Sequence, residues 1–187
     1  VKSGRYSASG MFTDVSVNWW ELAGKTIGII GMGNIGRKVA QIAEAFGMNV
    51  CYFSTSGTSH CKDYPSLPLE QLLAQSDIVS VHAPLNERTD ALIGEKELAM
   101  MKPSAYIVNM GRGGIVVEEA LVKAVDEGVI AGAALDVFSV EPLPEDSCYL
   151  KARHPERFRF APHVAWASEE ARARLLGMVA ENIVKGW

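Results

Sequence analysis

Three charged side chains, far apart along the 187-residue chain, have the types needed for acid–base chemistry on a small acid. Arg112 lies among glycines in the run GRGG, where a guanidinium can approach a carboxylate and donate two parallel hydrogen bonds to it. His163 follows Pro162, which fixes the backbone, and a carboxylate such as Glu141 beside an imidazole favours its charged form. Addition of a hydride to a ketone requires a proton at the carbonyl oxygen, and a His–Glu pair can deliver one near neutral pH.

Other ionisable residues near these positions have plainer interpretations. Asp136 opens the segment that ends in Glu141, so two carboxylates follow one strand, and either could be a helix cap or a surface acid. His82, in the run HAPL, is expected to shape a pocket rather than to transfer protons. His60 and His154 lie in polar loops and are expected to be solvated.

A glycine-rich run, GMGNIG at residues 31–36, joins the first predicted strand to the first predicted helix. The pattern GxGxxG is weak alone, but its position between a strand and a helix gives each glycine a physical role. Gly31 permits a tight turn, Gly33 lets the backbone approach a pyrophosphate, and Gly36 allows the helix and the strand to pack closely. The free N–H groups and the dipole at the helix start attract phosphates. The run therefore predicts a dinucleotide site more strongly than a purely structural turn.

The end of the second predicted strand lacks the acid expected to bind a ribose hydroxyl about 20 residues after the glycines. Ser54, Thr55 and Ser56 occupy this place, and they can hydrogen-bond either a hydroxyl or a phosphate. No arginine lies in this run, and Lys62 and His60 are the nearest basic candidates. Two interpretations are open, a neutral loop that accepts both NAD and NADP and a loop that favours NADP.

Short apolar runs alternate with helical patterns from residue 24 onward, and these elements must position the charged residues. The predicted strands are Thr26–Ile30, Asn49–Phe53, Asp77–Val81, Ala105–Asn109, Ile130–Asp136 and Phe158–Ala161. The predicted helices are Ile35–Phe46, Leu69–Gln75, Glu95–Met101, Glu118–Glu127 and a helix capped by Ser168 that runs to about Lys185. This alternation predicts an α/β fold with a doubly wound parallel sheet, Rossmann-like, in a three-layer αβα arrangement. Residues 1–21 are predicted to form a lead-in arm, and residues 22–187 one domain.

The composition of the chain argues against nucleic acid, a membrane span and a metal ion as partners. Lys and Arg total 18 against 22 Asp and Glu, so the formal charge is −4 and the chain lacks the positive field of a nucleic-acid binder. No apolar run approaches the roughly 18 residues of a membrane span. The three cysteines form no CxxC pair, which favours free thiols in a reducing, cytoplasmic compartment and predicts no metal site. The chain starts with valine, so we expect it to be part of a longer protein.

Five ordered motifs together resemble the nucleotide-binding domain of the D-isomer-specific 2-hydroxyacid dehydrogenases, from about residue 22 onward. The motifs are LAGKT leading into the glycine run, HAPL at 82–85, GRGG at 111–114, the segment 136–142 and the pair Pro162-His163. Within that family, residues 52–57 and 163–168 are most similar to glycerate dehydrogenase/hydroxypyruvate reductase-like members.

The resemblance implies roles for the matching residues. Arg112 would bind the substrate carboxylate and polarise its carbonyl, while His163, oriented by Glu141, would be the acid in reduction and the base in oxidation. Asp136 would hold the nicotinamide carboxamide. The residues implied to contact NAD or NADP are Gly31, Gly33, Asn34, Ile35, Gly36, Ser54, Thr55, Ser56, Ala83, Pro84, Met110 and Asp136. Ser54 replaces the aspartate of NAD-preferring members, which favours NADP.

The resemblance also implies partners and a missing part. A second domain, built from segments before and after this one, would complete the pocket for a small D-configured 2-hydroxy acid or 2-oxo acid, such as glycerate or hydroxypyruvate. This chain alone is then expected to bind the dinucleotide but to catalyse poorly, and the whole protein to be a homodimer. Two functions stay open, a dehydrogenase and a dinucleotide-sensing module of the corepressor type, which shares the fold and the catalytic trio.

Overall fold

A computed structural model of the chain describes residues 2–16, 20–58 and 61–186, and one parallel sheet organises them. The strands are β1 Thr26–Ile30, β2 Asn49–Phe53, β3 Ile78–Val81, β4 Tyr106–Asn109, β5 Gly132–Leu135 and β6 Phe158–Phe160. The α-helices are α1 Arg5–Ala8, α2 Asn34–Ala45, α3 Leu69–Gln75, α4 Glu95–Leu98, α5 Glu118–Asp126 and α6 Glu169–Lys185. The strand order is β2-β1-β3-β4-β5-β6, and all neighbours are parallel, which confirms the predicted Rossmann-like sheet.

The element boundaries differ from the predictions at a few places. The helix predicted over residues 95–101 stops at Leu98, because the N–H groups of Met100 and Met101 turn back to carbonyls three residues earlier in a tighter turn. The lead-in arm contains the short helix α1, whose four residues are all exposed and which the sequence patterns did not predict.

Hydrophobic side chains of the sheet divide between two packed faces. On one face, Ile27, Ile29 and Tyr52 contact Ala40 and Ala43 of α2. The other face packs against α3, α4 and α5, and its fully buried members include Leu72, Leu73, Val79, Val81, Leu98, Ile107, Leu121 and Val125. Complete burial of such a side chain stabilises the fold by about 1.5–3 kcal/mol, so the two layers hold the strand ends firmly.

The sheet reverses its winding between β1 and β3. From β1 the chain continues to β2 on one side, whereas from β3 it continues to β4, β5 and β6 on the other. The loops that follow β1 and β3 are joined at this point, because the His82 N–H donates to the Ile30 carbonyl at 2.8 Å. Open α/β sheets bind ligands in the crevice at such a switch point, beside the carboxyl ends of the strands.

Helix α6 begins where the sequence predicted. The Ser168 hydroxyl accepts a hydrogen bond from the Ala171 N–H at 3.2 Å, and the helix ends at Gly186, whose φ of 70° is left-handed. Its apolar side chains are largely exposed among the described residues, with Leu176 at 71% and Val184 at 86% of their full accessibility. This helix therefore carries an apolar surface outside the core.

Candidate active site

The glycine turn is crowded at two positions and open at the third. Gly31 has a φ of 95°, and a Cβ there would come within 2.9 Å of the Ala83 nitrogen. A Cβ at Gly36, within α2, would overlap the Gly31 carbonyl. A Cβ at Gly33 would meet no atom within 4 Å. The turn thus packs tightly against β1 and the β3 loop and leaves free space at the helix start, where Asn34 and the exposed Ile35 form the first turn of α2.

The polar run after β2 lies beside this turn, because the Gly31 N–H donates to the Phe53 carbonyl at 3.0 Å. The hydroxyl oxygens of Ser54 and Ser56 are 3.1 Å apart, and both hydroxyls can donate to the Thr58 carbonyl. Thr55, between them, is half-buried. Their side chains form a small neutral cluster of hydroxyl groups next to the switch point.

An arginine that the sequence patterns did not single out approaches this run from the loop after β3. Arg88 Nη1 donates to the Ser56 carbonyl at 2.8 Å. Of the two basic residues that sequence proximity suggested, Lys62 is exposed and makes no hydrogen bond to residues 54–56 among those described. His60 lies outside the described residues. Loops of neighbouring strands meet across the switch point, which brings Arg88 to this run although it lies 32 positions after Ser56 along the chain.

His163 and Glu141, from the loops after β6 and β5, form a direct pair. His163 Nδ1 lies 2.7 Å from Glu141 Oε2, and the Phe138 N–H donates to Glu141 Oε1 at 2.9 Å. The hydrogen bond from His163 lowers the pKa of Glu141, the Phe138 N–H and the charge of Arg112 lower it further, and burial opposes them. The side chains are 38% and 34% exposed, so the imidazole can meet a molecule from the crevice.

An aromatic cluster supports the loop that carries Glu141. The Phe138 ring packs edge-on against Tyr149, with 5.9 Å between centroids, and lies 6.0 Å from Phe160 on β6. Such pairs add about 0.5–1.5 kcal/mol beyond burial. The backbone N–H that binds Glu141 is therefore held by a packed side chain.

Asp136 is buried and holds the backbone that follows His163. Its two carboxylate oxygens accept hydrogen bonds from the N–H groups of Val164 and Ala165, at 2.9 and 3.0 Å. Its own carbonyl accepts from the His163 N–H at 2.9 Å, and His163 takes a left-handed φ of 53°. The carboxylate thus tethers the His163 loop to the end of β5.

Arg112 is placed by a buried asparagine. Asn109 at the end of β4 donates from Nδ2 to the Arg112 carbonyl at 2.8 Å and accepts from the Gly111 N–H at 3.0 Å. The guanidinium donates to the Gly111 carbonyl at 2.8 Å. A Cβ at Gly113 would overlap the backbone of Phe138, so the arginine loop packs directly on the loop that leads to Glu141. The structure therefore brings Arg112, Glu141 and His163 to one edge of the sheet.

The loop after β3 borders the crevice. Ala83 is buried, Pro84 is exposed, and Met110 beside them on the β4 loop is 39% exposed. His82 Nε2 lies 2.9 Å from the Ser80 hydroxyl, while its buried Nδ1 has no partner among the described residues. Burial lowers the pKa of His82, which favours a neutral ring and agrees with a pocket-shaping residue.

Clusters of metal-binding side chains and membrane-spanning helices are both absent from the described residues. Within residues 2–16, 20–58 and 61–186, no three His, Cys, Asp or Glu side chains gather closely enough to hold a metal ion. No helix in the same ranges combines the length and the apolar character needed to cross a membrane.

The strand order and the glycine turn define a Rossmann-type dinucleotide-binding domain. The family model described as the NAD binding domain of D-isomer specific 2-hydroxyacid dehydrogenases matches residues 1–165. This chain belongs to that family.

Two related proteins and one solved structure align with nearly the whole chain. The glyoxylate reductase of Korarchaeum cryptofilum is 43% identical over 194 aligned positions, which span 98% of this chain and 57% of that protein. The glycerate dehydrogenase of Methylorubrum extorquens is 38% identical, spanning 98% and 56%. Among solved structures, an acyclic imino acid reductase in complex with NADPH and D-arginine aligns with a TM-score of 0.84 at 33% identity, over 97% of this chain and 56% of that one. The chain therefore spans a little more than half the length of these relatives.

Proposed function

We propose that the chain is the dinucleotide-binding domain of an NAD(P)-dependent D-2-hydroxyacid dehydrogenase that acts on a small 2-oxo acid, hydroxypyruvate or glyoxylate. The observation that carries this proposal is the hydrogen-bonded pair of His163 and Glu141 beside Arg112 at the carboxyl edge of the sheet. The names of the relatives, a glyoxylate reductase and a glycerate dehydrogenase, support the choice of substrate class.

The glycine turn fits a dinucleotide. The free space where a Gly33 side chain would lie, at the start of α2, suits a pyrophosphate, which needs close approach of backbone N–H groups. Asn34, Ile35 and Gly36 follow in the first helical turn and would offer their N–H groups. When bound, the nicotinamide supplies the hydride in reduction and accepts it in oxidation. Ala83, Pro84 and Met110 would border the dinucleotide, and Asp136 would accept from the carboxamide through lone pairs that Val164 and Ala165 do not use.

His163 would hold the transferred proton at Nε2. Its Nδ1 is occupied by Glu141, which fixes the ring orientation and leaves Nε2 for the substrate oxygen. The Glu141 carboxylate stabilises the protonated imidazole ring. In reduction the ring gives its proton to the carbonyl oxygen of the substrate, and in oxidation the neutral ring takes a proton back.

Arg112 would bind the carboxylate of the substrate. Its guanidinium presents a planar set of donors, of which one Nη1 hydrogen bond to the Gly111 carbonyl fixes the side chain. Two further N–H groups can donate to a carboxylate and place the adjacent carbonyl carbon in the crevice. Without that orientation, hydride and proton would not reach adjacent atoms of the same molecule.

The nucleotide would be NADP(H) rather than NAD(H). Ser54 occupies the place where an acid would bind a ribose hydroxyl and repel a 2′-phosphate, and the run 54–56 holds no carboxylate. The related imino acid reductase was solved with NADPH, which agrees with this preference.

The remaining length of the relatives would supply a substrate domain, with residues 1–21 as the arm that leads into residues 22–187. The whole protein would be a homodimer, since α6 exposes an apolar surface suited to burial. It would work in the cytoplasm, in keeping with three cysteine sulfurs that form no disulfide.

The test is nucleotide binding followed by turnover in the full-length protein. NADPH and NADH are titrated by fluorescence, and consumption of each is then followed with hydroxypyruvate and with glyoxylate. Binding of both nucleotides, tighter for NADPH, and turnover of a 2-oxo acid are expected. Binding without turnover of any 2-oxo acid would instead support a dinucleotide sensor and contradict the proposal.

A further inference from the structure

We propose that Arg88, together with the hydroxyl groups of Ser54 and Ser56, binds the 2′-phosphate of the adenosine half of NADP(H) and sets the choice of nucleotide. This inference rests on the proposed function. It assigns to Arg88 the positively charged side chain that residues 54–56 after β2 do not contain. The juxtaposition arises at the switch point, where the β3 loop carries Arg88 onto the turn that follows β2.

Arg88 is held in place by a hydrogen-bonded turn. Its N–H donates to Asn86 Oδ1 at 2.9 Å, and the Asn86 N–H donates to Thr89 Oγ1 at 2.9 Å. Thr89 is fully buried, and its hydroxyl donates to the Pro84 carbonyl at 2.6 Å. The backbone of Arg88 is therefore fixed relative to Pro84, which borders the crevice.

The Arg88 side chain reaches the polar run after β2 and uses one of its N–H donors there. Arg88 Nη1 binds the Ser56 carbonyl at 2.8 Å, and a guanidinium carries five N–H donors in all. Within the described ranges, no carboxylate lies within ion-pair distance of Arg88, although Glu87 and Asp90 are close in sequence. Among the residues that the structure describes, no direct ion pair therefore neutralises the positive charge of Arg88.

The neighbouring hydroxyl groups complete a phosphate site. Ser54 and Ser56 both point toward the Thr58 carbonyl, and a hydroxyl can rotate to donate to a phosphate oxygen instead. Ser54 stands where this class of fold binds the adenosine ribose, so these hydroxyls and the Arg88 guanidinium would be the donors available to a phosphate on the 2′ oxygen. A doubly charged phosphate gains from a planar donor group far more than a neutral ribose hydroxyl does.

Binding of nucleotide fragments tests the site without catalysis. Isothermal titration of the full-length protein with 2′,5′-ADP, 3′,5′-ADP and 5′-AMP is expected to show the tightest binding for 2′,5′-ADP. Arg88→Ala is expected to weaken 2′,5′-ADP binding about tenfold or more and to leave 5′-AMP binding nearly unchanged. Arg88→Lys, which keeps the charge but not the fork, should lie between. Arg153→Ala, whose side chain is 67% exposed beside the carboxyl end of α5, is the matched control and should behave as the wild type.

The outcomes separate this site from the proposed function. Equal weakening of all three fragments in Arg88→Ala, or no weakening, would overturn the site, and so would equal wild-type affinity for 2′,5′-ADP and 3′,5′-ADP. In each of these cases NADH or NADPH turnover would leave the dehydrogenase proposal standing. Failure of both dinucleotides to bind the wild type would overturn both.

Discussion

At the scale of single residues, the charge of the site is set by the surroundings of Glu141. His163 binds one carboxylate oxygen and the Phe138 N–H binds the other, and both interactions lower the pKa of Glu141. The carboxylate therefore stays ionised at neutral pH, so we propose that the imidazole, and not this carboxyl group, carries the transferred proton.

Removal of that imidazole is expected to stop turnover while sparing nucleotide binding. His163→Gln should lower kcat about a hundredfold or more, because glutamine cannot deliver a proton, with little change in the Kd for NADPH. Steady-state kinetics and fluorescence titration measure the two quantities. His154→Gln is a matched control, since its ring also contacts a carboxylate, Glu156 at 3.2 Å, in an exposed turn. An unchanged kcat in His163→Gln would exclude this residue as the acid.

We expect Asn109 to act as a positioning residue through Arg112, whose carbonyl it binds. Asn109→Ala should raise the KM for the 2-oxo acid more than it lowers kcat, and should lower the free energy of unfolding by about 1–3 kcal/mol because two hydrogen bonds of a buried side chain are lost. Asn109→Asp keeps the acceptor for the Gly111 N–H, but it loses the donor to Arg112 and adds an acidic group to a buried site. A purely structural role would lower the stability of both variants and leave KM unchanged.

At the scale of elements, two glycines of the turn are expected to have different roles, Gly36 in packing of the turn and Gly33 in nucleotide binding. Gly36→Ala places a Cβ against the Gly31 carbonyl and should cost about 1–3 kcal/mol of stability as well as nucleotide affinity. Gly33→Ala meets no protein atom, so its stability should change by less than about 1 kcal/mol while the Kd for NADPH rises. Chemical denaturation and titration of both variants provide the comparison. Unchanged affinity in Gly33→Ala would show that the pyrophosphate does not bind there.

Strand and helix order could be predicted from sequence because each element has a local signature. The glycine run follows β1 and continues into the first turn of α2, and Ser168 caps α6, as local patterns indicated. Contacts between loops of different strands have no such signature. The meeting of Arg88 with Ser56, and the use of Asp136 by two backbone N–H groups, depend on sheet order and on the path of each loop. The convergence of Arg112, Glu141 and His163 could be anticipated only because each follows a parallel strand.

At the scale of the whole molecule, Asp77 ties the amino edge of the sheet together. Its carboxylate accepts from the Thr26 N–H at 2.8 Å and from Lys102 Nζ at 3.0 Å. Burial alone would raise the pKa of Asp77, but the Thr26 and Lys102 hydrogen bonds outweigh burial and lower it. β1, β3 and the segment before β4 are thus joined through one ionised group.

Asp77→Asn should therefore reduce stability in a pH-dependent way. Because the folded-state pKa lies below the ordinary value of 3.8, the stabilisation is present at neutral pH and is lost as pH falls through that lowered pKa. At about pH 7 the variant should be less stable by about 1–3 kcal/mol, and near pH 3 the difference should shrink. Urea denaturation at both pH values measures it, with exposed Asp146→Asn as control. A pH-independent difference would contradict the role of the charge.

The close packing at Gly113 has a mechanical consequence. Because no side chain separates the arginine loop from the backbone of Phe138, whose N–H donates to Glu141, the loop that carries Arg112 and the carboxylate that contacts His163 are packed together as one unit. Displacement of the arginine loop is therefore expected to disturb the loop that leads to Glu141. We therefore expect a small molecule to enter and leave from the open side of the crevice, without separation of these two loops.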